Sequence, residues 1–146
     1  DEDYLTKRFG QLCVDFAQRG LPEGSNEERR MAVAGKALDY LSDNKEFELS
    51  EFEQSLEDPE LIDQFTHFRK NYGKETGTVL EDQFSVSAPE AKKAKRQLKG
   101  RLKLDTGAEL RLSSAFIDQA EKLLERGYDE DKEMNYLKIY FDRQLP

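Results

Sequence analysis

Apolar residues in the first half of the chain recur at intervals of three and four. Leu5, Phe9, Leu12, Cys13 and Phe16 share one face of a helix under a 3.6-residue repeat. Gly20 and Pro22 mark its end. Ser25 and Glu28 stand at capping-box spacing, where each side chain satisfies the other residue's free backbone N–H. Behind them Met31, Ala34, Leu38 and Leu41 form a second helical stripe. Ser50 and Glu53 repeat the capping spacing before a short helix carrying Phe52 and Leu56. Asp58-Pro59 reads as a helix start, with proline where its missing N–H costs nothing. Leu61, Phe65, Phe68 and Tyr72 carry that helix to Gly73. Phe9, Phe16, Leu38, Phe65 and Phe68 are the expected core of this half.

The pattern changes after residues 73–82, a segment with Gly73 and Gly77 that reads as a hinge. Phe84-Ser85-Val86 alternates like a strand, and Ser87 with Glu90 gives a third capping spacing. The helix it opens has Ala91, Ala94 and Leu98 as a slim apolar face and is expected to end at Gly100. Arg101–Leu104 and Glu109–Leu112 alternate with period two, and Asp105-Thr106-Gly107 between them has hairpin chemistry. Phe116, Ile117, Ala120, Leu123 and Leu124 predict another helix, closed by Gly127, and Tyr136–Phe141 predicts a last strand. The expected fold is α+β. A helical subdomain spans 1–78, and an α+β subdomain over 79–146 holds a basic helix, a β-hairpin and a small antiparallel sheet with packed helices.

Composition bounds this picture without altering it. The 146 residues are 36% hydrophobic and 37% charged, with nine Phe and six Tyr, enough aromatic bulk for a core. No apolar run nears the roughly 18 residues of a membrane span, and no signal-peptide pattern opens the chain. Cys13 is the single cysteine, so intrachain disulfides and cysteine zinc clusters are excluded and a reducing compartment is expected. A start at Asp1 suggests a piece of a longer chain.

Charge does alter it. The formal net charge is −8, which argues against a protein that coats nucleic acid through overall basicity. Yet residues 91–103 carry seven basic side chains and no acidic one: Lys92, Lys93, Lys95, Arg96, Lys99, Arg101 and Lys103. One reading is a solvated face that balances the acidic first half. The other is a contact surface for a phosphate backbone. If Leu102, Leu104, Leu110, Leu112, Leu137, Ile139 and Phe141 point inward, Arg101, Lys103, Arg111, Tyr136, Lys138 and Tyr140 share the opposite parity. Cations and tyrosines then lie on one sheet face, suited to phosphates, sugars or exposed bases, unless the first-half helices cover it.

Catalytic signals are weak. His67 is the single histidine, beside Phe65, Phe68 and Arg69, and one imidazole without a ligand set reads as structural, with no metal. Cys13 sits on an apolar stripe and reads as a buried thiol. Asp129-Glu130-Asp131 lacks calcium-loop spacing and reads as a solvated turn. No phosphate-binding glycine loop occurs. The expectation is a protein without an enzyme active site.

Several stretches resemble a known family. Phe84-Ser85-Val86-Ser87-Ala88-Pro89 followed by Ala91-Lys92-Lys93-Ala94-Lys95, the strand Leu102-Lys103-Leu104-Asp105, and Glu125-Arg126-Gly127-Tyr128-Asp129-Glu130 through Tyr136–Phe141 are similar to the carboxy-terminal part of the bacterial nucleoid-associated proteins of NdpA type. Leu21-Pro22 and Phe47–Phe52 fit the family's segment order. The resemblance covers essentially the whole chain and is strongest after residue 83. It implies a cytoplasmic protein of the bacterial nucleoid, a role in chromosome organisation, association with DNA directly or through the rest of a longer chain, and no catalytic residue or cofactor. It supplies no residue-level DNA-binding motif, so the seven cations rest on the charge argument. The alternative is a protein-interaction or oligomerisation module that self-associates or binds other nucleoid proteins without touching DNA. No membrane partner is expected.

Overall fold

A computed structural model describes residues 1–146. The fold is α+β, with a helical first half and antiparallel strand pairs that carry the later chain. Helix α1 (Glu2–Asp15) starts on Asp1, whose carboxylate accepts the Tyr4 N–H at 2.8 Å, and continues into a π-helical turn over Phe16–Gly20. Helix α2 spans Glu27–Asp43, α3 Leu49–Ser55 and α4 Pro59–Thr76. Asp58 caps α4 by accepting the Glu60 N–H at 3.0 Å, with Pro59 in the first turn as the sequence predicts.

Leu12, Phe16, Leu38, Leu41, Phe47, Phe52 and Phe65 form the deepest part of the main core. The phenylalanine rings of this deepest part meet edge-on or tilted. Phe16 and Phe65 lie 5.2 Å apart at 85°, and Phe9 and Phe52 5.0 Å apart at 89°. Each fully buried large side chain contributes about 1.5–3 kcal/mol through apolar surface removed from water, and edge-on ring contacts add to that. Of the five expected core residues, four are buried. Phe68 is half-buried against Phe16, with ring centroids 5.7 Å apart.

Strand β1 (Glu46–Glu48) pairs antiparallel with β2 (Gln83–Ser85), and Phe47 stacks on Phe84 at 4.7 Å. Phe84 and Ala91 therefore belong to the same core as α1 and α4, although both follow residue 78. The segment after α4 is tethered. The Arg69 guanidinium donates to the Leu80 carbonyl at 3.1 Å and to Asp82 at 2.8 Å.

Helix α5 (Ala88–Gln97) leads to a hairpin of β3 (Gly100–Lys103) and β4 (Glu109–Leu112). Two single turns, α6 (Ser114–Ile117) and α7 (Ala120–Leu123), precede a second hairpin of β5 (Leu124–Asp129) and β6 (Met134–Ile139). A second, smaller core of Met31, Leu102, Leu112 and Ile117 seats the first hairpin on α2. Gly100 lies flat against the Met31 thioether, where any Cβ would collide with the sulfur.

Several local expectations are corrected. Ser25 does not cap α2, because its hydroxyl donates to the Pro22 carbonyl at 2.7 Å; Asn26 accepts the Arg29 N–H instead, at 2.9 Å. Ser50 caps nothing. It lies inside α3 and donates to Glu48 at 2.7 Å, while β1 runs directly into the helix. Helix α4 passes through Gly73 and stops at Gly77, whose φ of +65° suits a residue without Cβ. Gly100 lies in a strand, not at a helix end. The helix expected from Phe116 to Gly127 breaks after Ile117, and Gly127 sits inside β5 beneath the Tyr136 ring.

Candidate functional site

Two contacts to the first half fix the basic helix. Ser87, its N-cap, is buried and donates its backbone N–H to the Thr6 hydroxyl of α1 at 2.9 Å, while its own hydroxyl donates to Asp3. The same oxygen lies 3.4 Å from the Glu90 N–H, as the capping spacing anticipates. On the inner face Ala91 is buried and Ala94 is half-buried. A Cβ on Gly10 of α1 would touch Ala94 at 3.5 Å, so small residues on both helices set this close approach. With Ala91 inward, the helical repeat turns Lys92, Lys93 and Arg96 outward, and all three are exposed.

The seven predicted cations separate into two groups. Lys92, Lys93, Arg96, Lys99 and Lys103 are exposed and form no ion pair. Lys95 is half-buried, bridging Asp39 of α2 and Asp118 beyond α6, the latter at 3.1 Å. Burial disfavours its ammonium, but the hydrogen bonds to Asp39 and Asp118 outweigh that, and its pKa is raised. Arg101 pairs across its hairpin with Glu109 at 2.6 Å, and Arg111 reaches the same carboxylate at 3.2 Å. The cations held in place thus differ from those left available.

The shared face of cations and tyrosines does not form. The three strand pairs are separate two-stranded sheets, so Arg101, Lys103 and Arg111 lie on one hairpin and Tyr136, Lys138 and Tyr140 on or beside another. Neither group is covered by the helices: all six side chains are exposed. On the second hairpin the Lys138 ammonium sits 5.6 Å from the Tyr136 ring centroid. The Tyr140 hydroxyl donates to Glu125 at 2.8 Å, and that hydrogen bond raises its pKa. Of the inward-parity residues, Leu102 and Leu112 are buried and Leu104, Leu110 and Leu137 half-buried, whereas Ile139 and Phe141 are exposed.

The other candidates stand apart from this surface. His67 is exposed on α4, its Nε2 3.1 Å from the Asn71 amide. Cys13 is wholly buried, and burial pushes its thiol pKa far up, away from the nucleophilic thiolate. Asp129 accepts the Lys132 N–H at 2.9 Å in the β5–β6 turn.

Reasoning along the chain missed two cations. Lys7 of α1 and Arg30 of α2 face α5 across a cleft shared with Lys93 and Lys99. Each belongs to an isolated basic pair, Lys7-Arg8 or Arg29-Arg30, in an acidic half of the chain, so no local run announces it. The chain matches no protein-family model, no curated protein and no solved structure.

Proposed function

We propose that this chain is a non-enzymatic, DNA-associating protein of the bacterial nucleoid-associated kind, with α5, the link that follows it and the end of β3 as its phosphate contact. One observation carries the reading: Lys92, Lys93, Arg96, Lys99 and Lys103 are exposed and unpaired in a chain of net charge −8. A basic face that merely balanced the acidic half would neutralise itself against it, as Lys95 does between Asp39 and Asp118. The five free cations retain their charge for an external anion. Acidic surface elsewhere orients a duplex toward them by repulsion. Contacts of this sort read phosphates, which look alike along the duplex, so affinity comes with little base preference.

The test reverses charge at Lys92→Glu, Arg96→Glu and Lys99→Glu together. Binding to unrelated duplexes should weaken about tenfold or more at ~0.1 M salt, and the slope of log K against log salt should flatten by about 2–3 as three counterion-releasing contacts vanish. A folded triple variant that binds like the parent across the salt series leaves the second reading, an assembly module. That reading has its own support in the exposed Tyr128, Met134, Phe141 and Leu145 on and beside the β5–β6 hairpin.

A further inference from the structure

We propose that the cleft between α1, α2 and α5 binds a small phosphorylated ligand of mononucleotide size. The cleft holds about 530 Å³, within the volume range of small-molecule sites. Four cations line it: Lys7 of α1, Arg30 of α2, Lys93 of α5 and Lys99 in the link that follows α5. Lys7, Lys93 and Lys99 have no ion-pair partner. Arg30 is held only loosely, its Nη1 3.8 Å from Glu27. The Nε–H of Arg30 is shielded from solvent and has no hydrogen-bond acceptor. The Arg30 side chain as a whole is 32% exposed, and it is this exposed part, not the shielded Nε–H, that a ligand in the cleft meets.

Phosphate suits this set better than a carboxylate. Four cations face two carboxylates, Glu27 and Glu90, so a ligand of two or more negative charges completes the balance. The guanidinium fork also matches the spacing of phosphate oxygens. The lining also includes Val14, Met31, Ala94 and Leu98, apolar surface that accommodates a flat organic group. Gln18 and Gln97 stand beside it, and amides can donate to and accept from a base edge. The cleft therefore offers charge together with apolar surface for a heterocyclic body. The inference goes beyond the DNA reading, and only Lys93 and Lys99 are common to both.

The experiment titrates ADP, adenosine and pyrophosphate separately into the isotope-labelled full chain and follows its NMR spectrum. ADP should shift the Arg30 Nε–H and the amides of Gln18, Ala94 and Gln97, at concentrations where adenosine shifts nothing. Pyrophosphate should bind more weakly than ADP. The double variant Lys7→Gln/Arg30→Gln should lose about tenfold or more of the ADP affinity, consistent with removal of charge-assisted contacts. Arg30→Lys, which keeps the charge but not the fork, should lose less. DNA affinity of the double variant, measured alongside, should stay within about twofold of the parent. Unmoved resonances with millimolar ADP overturn the proposal, as do equal responses to adenosine, pyrophosphate binding as tight as ADP, or unchanged ADP affinity in both variants. None of those outcomes touches the DNA reading, which stands or falls on the Lys92, Arg96 and Lys99 variant.

Discussion

The helical core and the β5–β6 hairpin use similar residues to opposite ends. In the core, Phe16, Phe47, Phe52 and Phe65 are fully enclosed, and the rings of Phe9, Phe47, Phe52 and Phe65 touch one another. On and beside the hairpin, Tyr128, Met134, Tyr140 and Phe141 face solvent, and only Leu124 and Leu137 reach the smaller core. The first region is held by burial, which is large and non-directional. The second is held by its ladder, by the bidentate Arg126–Glu28 pair with both bonds at 2.9 Å, and by the Tyr140 N–H to the Leu123 carbonyl at 2.9 Å. Stability and surface chemistry are thereby divided. The helices fix where α5 lies, and the later elements present what is exposed.

The largest expected effect tests that division directly. Phe65→Ala removes a ring packed against Phe9, Phe16 and Phe52 and should cost about 3–5 kcal/mol of global stability by urea titration, from lost burial and a residual cavity. Phe141→Ala, at a side chain 69% exposed, should change it by less than about 0.5 kcal/mol. Equal losses would break the comparison and place Phe141 in a structural role.

A smaller effect sharpens it. Arg126→Ala removes the hairpin's clamp on α2, an exposed ion pair strengthened by its fork geometry. Amide protection in β5 and β6 should fall by about 1 kcal/mol or less, while protection in α1, α2 and α4 stays constant. Loss of protection in the helices as well would show that hairpin and core unfold as one unit.

The same contrast explains what the sequence could reveal. Helices α1, α2 and α4 are long, and their apolar spacing alone carries the signal, as do the caps at Asp58 and Ser87. Strand β1 was hidden. Glu46-Phe47-Glu48 is three residues flanked by charge, and it is a strand because Phe47 stacks on Phe84, far along the chain. Gly127 misled for the opposite reason. A glycine after apolar helical spacing reads as a stop, but here it makes room for the Tyr136 ring inside a strand. The basic block was plain in the sequence, yet which of its cations are free was not. Asp39 and Asp118, which hold Lys95, lie 56 and 23 positions away, and only the fold brings them to it.

Lys95 is also a link between the helices and the elements that follow α5, and it gives the smallest and most specific expectation. Its ammonium joins α2, α5 and the turn after α6. The folded-state pKa is raised above the ordinary 10.5, the hydrogen bonds to both aspartates exceeding the opposing effect of burial. A lysine whose pKa rises on folding stabilises the native state fully below its unfolded pKa, and that stabilisation disappears as pH climbs through the folded value. The stability difference between the parent and Lys95→Gln should therefore be level from about pH 7 to 10 and shrink above that. Tyr40 and Tyr72, whose pKa values burial also raises, lose their own contributions in the same alkaline range. They are present in both proteins and cancel in the difference. Because Lys95 is partly exposed, the level part should be about 1 kcal/mol or less. A difference that grows with pH would mean that Lys95 is held as a neutral amine, and the bridge from the helical core to the later elements would then rest on the Arg126–Glu28 pair and the apolar contacts of Ala91, Leu98 and Met31.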